Sequence, residues 1–329
     1  MKKSERKLLS MVESKFTKSD SLQGINIDSI AALIVTYNPD AKLIACVTAI
    51  SNQVSHILII DNASSTNCKI ILEEAEKLKN VSIIFNKENV GLATALNQGV
   101  SILRSRNYHW AITLDQDSTA TPGMAHELLS TLNRYSQIEK VAFVGPYIKD
   151  EGSLGSEPKW LSSNKYFPFL FKRVECQGKD LDDVTIVITS GALTNLDMFQ
   201  TLGPYRDDFF IDYIDTEYCL RAKKNGYKIL VSSKAVMYHN LGNKQEIKFL
   251  FHTFRPTFHK PFRRYYIARN QVAMLKQYSF SCVHWLGFDI VASLYNLFRI
   301  LLLEDHKKQN ISMIFKGYLD GVRGKFGKL

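Results

Sequence analysis

Residues 31–37 read AALIVTY and are closed by Asn38-Pro39-Asp40. A short apolar run bounded by turn residues is the pattern of a strand buried on both faces. Behind it, Leu43, Ile44, Val47 and Ile50 recur at i, i+1, i+4 and i+7, the stripe of an amphipathic helix. The pair is copied outward along the chain. Strands are predicted at 57–60, 81–85, 110–114 and 141–144, with helices at about 70–78, 92–103 and 124–135 between them. This alternation calls for an α/β fold, a Rossmann-like, mainly parallel sheet covered by helices. Ligands bind such sheets outside the carboxyl ends of the strands, so polar residues there are the first candidates for function.

Further on the rhythm breaks. Residues 149–182 mix Gly, Ser, Pro and aromatic side chains and are expected to form an excursion over the sheet. A strand is expected at 184–188, a short helix near 196–202, a helix from Asp215 to about Asn225, and a strand at 227–231. From residue 243 the composition turns basic and aromatic, with helical patterns and no clear strand. The chain thus divides into a basic leader (1–28), an α/β domain (29–242) and a helical C-terminal extension (243–329).

At 329 residues, 45% hydrophobic and 22% charged, the chain can bury a sizeable core, which excludes a disordered or collagen-like protein. The net charge of +10 is unevenly placed: residues 1–242 carry 27 basic and 27 acidic side chains, residues 243–329 carry 15 and 5. A uniformly basic surface, and with it the simplest nucleic-acid-binding function, is excluded. The five cysteines are scattered and form no Cys-x-x-Cys pair, so neither a disulfide framework nor a thiolate zinc site is expected. In the leader, Glu13 and Lys15 interrupt the apolar run that a secretory segment needs, and a cytoplasmic protein is expected.

Four constellations could carry chemistry. Thr36-Tyr37-Asn38 and Asp61-Asn62-Ala63-Ser64 close the first two strands; they suit either a nucleotide crevice or plain turns. Asp115-Gln116-Asp117 leaves the fourth strand with two carboxylates that can face Mg²⁺ or Mn²⁺ and the phosphates it bridges. Asp-X-Asp also arises by chance, and the second copy, Asp180-Leu181-Asp182, lacks a preceding strand. The acid-rich run 207–221 contains Asp215 and Glu217 at a predicted helix start, where capping and general-base roles both fit. Arg221 stands four residues after Glu217, the spacing of a helical ion pair. His239, in YHNLG, could complete a carboxylate-led metal site or serve as an ordinary polar residue.

Taken in order, IVTYNPD, LIIDNAS, NKENVGLATALNQG, TLDQDS, TSGALTN, FFIDYIDTEYCLRAKKNGY and YHNLG resemble family 2 of the inverting nucleotide-sugar glycosyltransferases, over about residues 30–280. The likeness is greatest to bacterial rhamnosyltransferases of O-antigen and capsule assembly. The resemblance implies a GT-A fold for 29–242, a divalent Mn²⁺ or Mg²⁺ cofactor, and a nucleotide-sugar donor such as dTDP-L-rhamnose, with a galactofuranose or hexose donor as the alternative. It places Thr36, Tyr37 and Asp61 at the nucleotide base and ribose, and Asn89 and Gly91 in the loop that closes over them. Asp115 takes the ribose- or metal-side position, Asp117 and His239 the metal, and Asp215 the catalytic base. Ile214 departs from the family's usual Glu-Asp pair, while Asp212 and Glu217 add acids nearby. A nucleotidyltransferase is the rival enzyme, but residues 36–40 lack its Gly-rich, basic phosphate loop; a non-catalytic basic binding module is the rival from another class.

The tail holds FRPTFHKPFRRYYIARNQ, where Arg255, Lys260, Arg263, Arg264 and Arg269 alternate with aromatics, a composition that can serve nucleic acid but also suits anionic membrane headgroups. Residues 283–303 follow, 15 of 21 apolar, with Asp289, Ser293, Asn296 and Arg299 on one helical face. Such a polar stripe fits a helix lying on a membrane better than one crossing it, with a helix packed on the catalytic domain as the alternative. A peripheral position on the inner face of the cell membrane would suit a glycan or undecaprenyl-diphosphate-linked acceptor.

Overall fold

In a computed structural model of the chain, the opening run becomes strand β1 (Ile30–Thr36), buried at every residue except the half-buried Val35 because alternate residues serve two different cores. Ala31 and Leu33 face one layer and Ile30, Ala32 and Ile34 the other. The structure describes residues 25–149, 157–164, 166–239, 247–249, 252–254, 259–304 and 306–329; the leader expected at 1–24 lies outside them. Next come α1 (Lys42–Ser51), β2 (His56–Asp61), α2 (Lys69–Glu76), β3 (Val81–Phe85), α3 (Leu92–Ser105), β4 (Trp110–Asp115), β5 (Thr119–Ala120), α4 (Met124–Asn133) and β6 (Val141–Lys149). The chain continues through β7 (Trp160–Ser163), β8 (Phe171–Val174), β9 (Leu193–Asn195), α5 (Met198–Leu202), α6 (Ile214–Lys224) and β10 (Lys228–Tyr238). It ends with β11 (Ile247–Phe249), β12 (His252–Phe254), α7 (Pro261–Tyr278), α8 (Val283–Leu303) and α9 (Lys307–Val322).

One eight-stranded sheet runs in the order β3-β2-β1-β4-β9-β6-β10-β5. The β1–β2, β2–β3, β1–β4 and β6–β10 pairs are parallel, and β9 lies antiparallel between β4 and β6. Helices cover both faces. Helix α3 packs on β1 so closely that a Cβ on Gly99 would lie 2.2 Å from Leu33 Cδ1. Each fully buried Leu or Ile in these layers is worth about 1.5–3 kcal/mol, which fixes the register of β1 and β4 and so the position of their ends.

Several local expectations are corrected. Residues 184–188 form no strand, because Val184 N–H donates to Ile229 and Thr185 N–H to Leu161, two different partners that build no common ladder. The sheet gains the three-residue β9 instead, too short and too polar to read from sequence. Residues 149–182 contain a β7–β8 hairpin, and the tail contains β11–β12 where no strand was expected. β10 runs past residue 231 to Tyr238 through an irregularity between Val231 and Val236. Asp180 accepts from Ser233 N–H and Oγ there, each at 2.8 Å, so the second Asp-X-Asp copy braces this bend.

The tail is turned inside out relative to its composition. Arg264, Tyr265, Tyr266, Arg269 and Asn270 are buried, so Arg264 and Arg269 are not available to headgroups; Arg255 lies outside the described residues. On α8 the polar stripe faces the protein: Asp289 accepts from Tyr213 Oη (2.6 Å), Gln271 donates to Ser293 Oγ (2.7 Å), and Arg299 is 3.5 Å from buried Glu304. Ile290, Val291, Leu294, Leu297, Phe298 and Leu301 are left exposed.

Candidate active site

The carboxyl ends of β1 and β4 open into a cavity of about 560 Å³. Gln116, between the two acids of Asp115-Gln116-Asp117, clasps the backbone of Tyr37. Tyr37 N–H donates to its Oε1 (2.9 Å) and its Nε2 donates to Tyr37 O (3.4 Å), locking the two strand ends together. Thr36, Tyr37, Asn89, Gly91, Asp115, Asp117 and His239 all line the cavity. Asp61 does not: it is 2% exposed and accepts from Thr36 Oγ1 (2.8 Å), Ser64 N–H (3.0 Å) and Ser64 Oγ, which places it beneath Thr36 rather than on the wall.

Asn62 forms the neighbouring wall and ties β2 to the loop before α3. Its Nδ2 donates to Gly91 O (3.1 Å) and its Oδ1 accepts from Val90 N–H (3.2 Å), while Asn89 Oδ1 accepts from Gly91 N–H (3.0 Å). Gly91 is required twice over: φ is +88°, and a Cβ would lie 2.7 Å from the Phe210 ring.

Asp115, Asp117 and His239 bring their donor atoms within 4.8 Å of one another. Their order in sequence spans more than a hundred residues, and β10 closes that gap by pairing with β5 just beyond Asp117. His239 Nδ1 is 2.8 Å from Ser118 Oγ, which is 2.7 Å from Ser190 Oγ, which in turn accepts from Asp115 N–H (3.0 Å). Nε2 therefore faces the carboxylates, 3.7 Å from Asp115. A metal-binding histidine oriented through its other nitrogen follows the same logic. Burial raises the Asp115 carboxyl above its ordinary range; His239 opposes the shift and Asp117 adds to it. Two hard carboxylates and one imidazole, with room beside them, fit a divalent cation of the Mg²⁺ or Mn²⁺ kind.

The acid-rich run resolves by its partners. Glu217 is buried against Arg221 (2.5 Å) and the Tyr278 hydroxyl (2.7 Å), Asp208 pairs with Arg206 (2.6 Å), and Asp212 pairs with Arg263. Asp215 makes no ion pair among the described residues; its Oδ1 accepts only from Thr216 N–H (2.7 Å) and the Thr216 hydroxyl (3.4 Å). Helix α6 starts one residue before it, with Tyr213 as the cap residue, so Asp215 does not cap the helix. Burial, with the charges of Asp115 and Asp212 adding, pushes its carboxyl up to about 6. Phe210 and Ile211, a few residues before it, line the cavity; Asp215 itself is not a lining residue.

Sequence reasoning offered Asn62 only within a strand end that suits a crevice or a turn, and missed Gln116, Phe210, His259 and Arg263 as cavity residues. Asn62 and Gln116 adjoin recognised residues and were open to a closer reading of both strand ends. His259 and Arg263 were assigned to the tail, and nothing local shows that α7 folds back onto the sheet. Burial beside Arg263 lowers the His259 imidazole to about 4, so it is neutral near pH 7.

The fold is thus a helix-covered, mainly parallel sheet with two carboxylates and one imidazole converging at its carboxyl edge. Residues 31–203 match the model of the family "Glycosyl transferase family 2", and the chain belongs to that family. It is 28% identical over 300 residues to the dTDP-rhamnosyl transferase RfbF of Shigella flexneri, covering 91% of this chain and 97% of that one. Among solved structures it is similar to Staphylococcus aureus TarS 1–349 in complex with UDP-GlcNAc, with TM-score 0.54 and 12% identity over 89% of this chain and 81% of that one. It is also similar to GalNAc-T7 with UDP, GalNAc and Mn²⁺, with TM-score 0.53 and 15% identity. That match covers 82% of this chain, which spans only 56% of GalNAc-T7. The protein is a glycosyltransferase.

Proposed function

We propose that this enzyme transfers L-rhamnose from dTDP-L-rhamnose, with inversion, to a hydroxyl of a polysaccharide or lipid-linked glycan. The observation that carries this reading is the likeness to the dTDP-rhamnosyl transferase, which runs nearly end to end in both chains. Thr36, Tyr37, Asn89 and Gly91 hold the nucleoside, with Asp61 fixing Thr36 from below and Asp115 on the ribose or metal side. Asp117 and His239, with Asp115, would hold Mn²⁺ or Mg²⁺, which supplies Lewis-acid neutralisation of the leaving diphosphate. Asp215 accepts the proton of the acceptor hydroxyl as its oxygen attacks the anomeric carbon from the face opposite the nucleotide. Arg263, on the cavity wall and paired with Asp212, would add positive charge to the cavity that takes the diphosphate. A donor panel with Mn²⁺ or Mg²⁺, followed by nucleoside diphosphate release, tests the reading. The expected outcome is a preference of at least about 10²-fold for dTDP-L-rhamnose, the lower end of the discrimination that pocket contacts supply; equal use of a UDP-hexose would defeat it.

The acceptor side belongs to the membrane in this reading, with an undecaprenyl-diphosphate-linked glycan as acceptor and a peripheral position on the cytoplasmic leaflet. Two observations support it. Helix α8 is the one helix among the described residues long and apolar enough to span a bilayer, yet it spends its polar stripe on the protein and turns its apolar stripe outward. Exposed Lys307, Lys308 and Lys316 on the following helix complement an anionic lipid surface. The enzyme should float with phosphatidylglycerol vesicles. The Leu294→Gln/Phe298→Gln variant should lose that binding by about tenfold or more; a wild-type enzyme that stays at the bottom of the gradient defeats the proposal.

A further inference from the structure

The FRRYYIARN segment carries more charge and aromatic surface than the donor site uses, and its Arg269-Asn270 pair is fully buried against the loop that leads to Asp215. That loop has an unusual backbone. Phe210 (φ +64°), Asp212 (φ +65°) and Tyr213 (φ +63°) are all left-handed without being glycine. Ile211 N–H donates to Phe209 O at 2.7 Å, closing a γ-turn of the rarer hand around Phe210. Such a conformation persists only where its surroundings over-determine it.

The surroundings are supplied by α7. Asn270, 0% exposed, donates from one amide nitrogen toward three carbonyls of the loop: Phe209 (3.1 Å), Ile211 (2.9 Å) and Asp212 (2.9 Å). Arg269 donates to Asp208 O (3.2 Å) and Phe209 O (2.8 Å), and its Nε holds Asn270 Oδ1 at 3.0 Å, which fixes the amide orientation. The guanidinium lies over Tyr266 (4.8 Å) and Phe326 (5.3 Å). On its other side the loop meets the donor wall, since Phe210 O accepts from Leu92 N–H (2.7 Å) and the Phe210 ring faces Gly91.

We infer that Asn270, oriented by Arg269, is a positioning residue that holds the strained 207–213 loop so that Asp215 and Phe210 keep their places beside the donor cavity. The inference rests on the glycosyl-transfer reading for its kinetic consequence only. It makes the C-terminal region part of the catalytic unit, although the boundary proposed at residue 242 falls among residues 240–246, outside those described. A hydroxyl at position 270 keeps one donor and loses the reach to three carbonyls, so Asn270→Ser, with Arg269→Lys as a milder second variant, separates positioning from packing.

Hydrogen exchange on the full-length enzyme needs no substrate: amides of 207–213 should exchange at least about tenfold faster in both variants, while β1 and β4 stay protected. In steady state kcat should fall by about 10²-fold with the donor KM within about threefold of wild type, the split expected of a misplaced group rather than a lost binding contact. Unchanged exchange across the loop, or unchanged kcat in a folded variant, overturns the inference. So does outright unfolding of both variants, which would assign the pair to the core. If wild type turns over no sugar nucleotide, the transfer reading fails and the exchange result alone decides the clamp.

Discussion

Asp215→Asn will lower kcat by about 10²–10⁴-fold, the usual share of a general base, while leaving the fold intact. The amide is isosteric and can keep the bond from Thr216 N–H, so nothing in the packing of α6 is lost. The pH behaviour gives the test its edge. Burial and neighbouring acids raise the carboxyl from 3.8 to about 6, and a base works only when ionised. Wild-type kcat/KM should therefore fall as the pH drops through about 6, and the variant should lack that limb. Stability runs the other way. A carboxyl whose folded pKa is raised binds its proton more tightly in the native state, so its stabilising contribution is full below 3.8 and is lost as the pH rises through about 6. At pH 8 the variant should melt no lower than wild type, an exchange of stability for activity that functional sites commonly show. Activity within threefold of wild type would hand the role of base to another group.

Asp117→Asn should cost about 10²–10³-fold in kcat, the scale of removing one preorganised electrostatic partner of the developing charge. The change keeps size and removes one of the three donors that converge within 4.8 Å. Two readouts distinguish a metal role from a general loss. In calorimetry, wild type should bind nucleoside diphosphate more tightly with Mn²⁺ than without, and the variant should show little difference. Raising Mn²⁺ should restore part of the variant's activity, since Asp115 and His239 remain. A variant with full activity in chelator-treated buffer would remove the cation from the mechanism.

How much of this was legible in the chain depends on how local each signal is. The strand-helix rhythm and the polar strand ends were readable because burial on both faces writes a continuous apolar run, and a strand must stop where that run stops. Asp115 and Asp117 share one strand exit and could be paired on paper. His239 could be suspected only through its motif, because its approach to Asp117 depends on an irregular β10 that looked finished at residue 231. The FRRYYIARN segment misled for a general reason: arginine is mostly exposed, and the partners that bury Arg264 and Arg269, among them Glu304 and the carbonyls of Asp208 and Phe209, lie dozens of residues away. On α8 the polar stripe was visible, but its direction was not, since periodicity says that a helix has two faces and not which one meets the protein.

The sequence by itself determined an α/β sheet with carboxylates at its edge and a basic, aromatic tail, because composition and period act within a few residues. Only the tertiary structure decided which acid stays available. Asp212 is taken by Arg263 and Glu217 is shared by Arg221 and Tyr278, whereas Asp215 keeps a raised pKa and no ion-pair partner among the described residues. The physical reason is that a carboxylate's charge state is set by burial and by every charge that the fold brings near it. Here those charges converge from separate parts of the chain: Arg263 from α7, Arg221 from α6 and Asp115 from the end of β4.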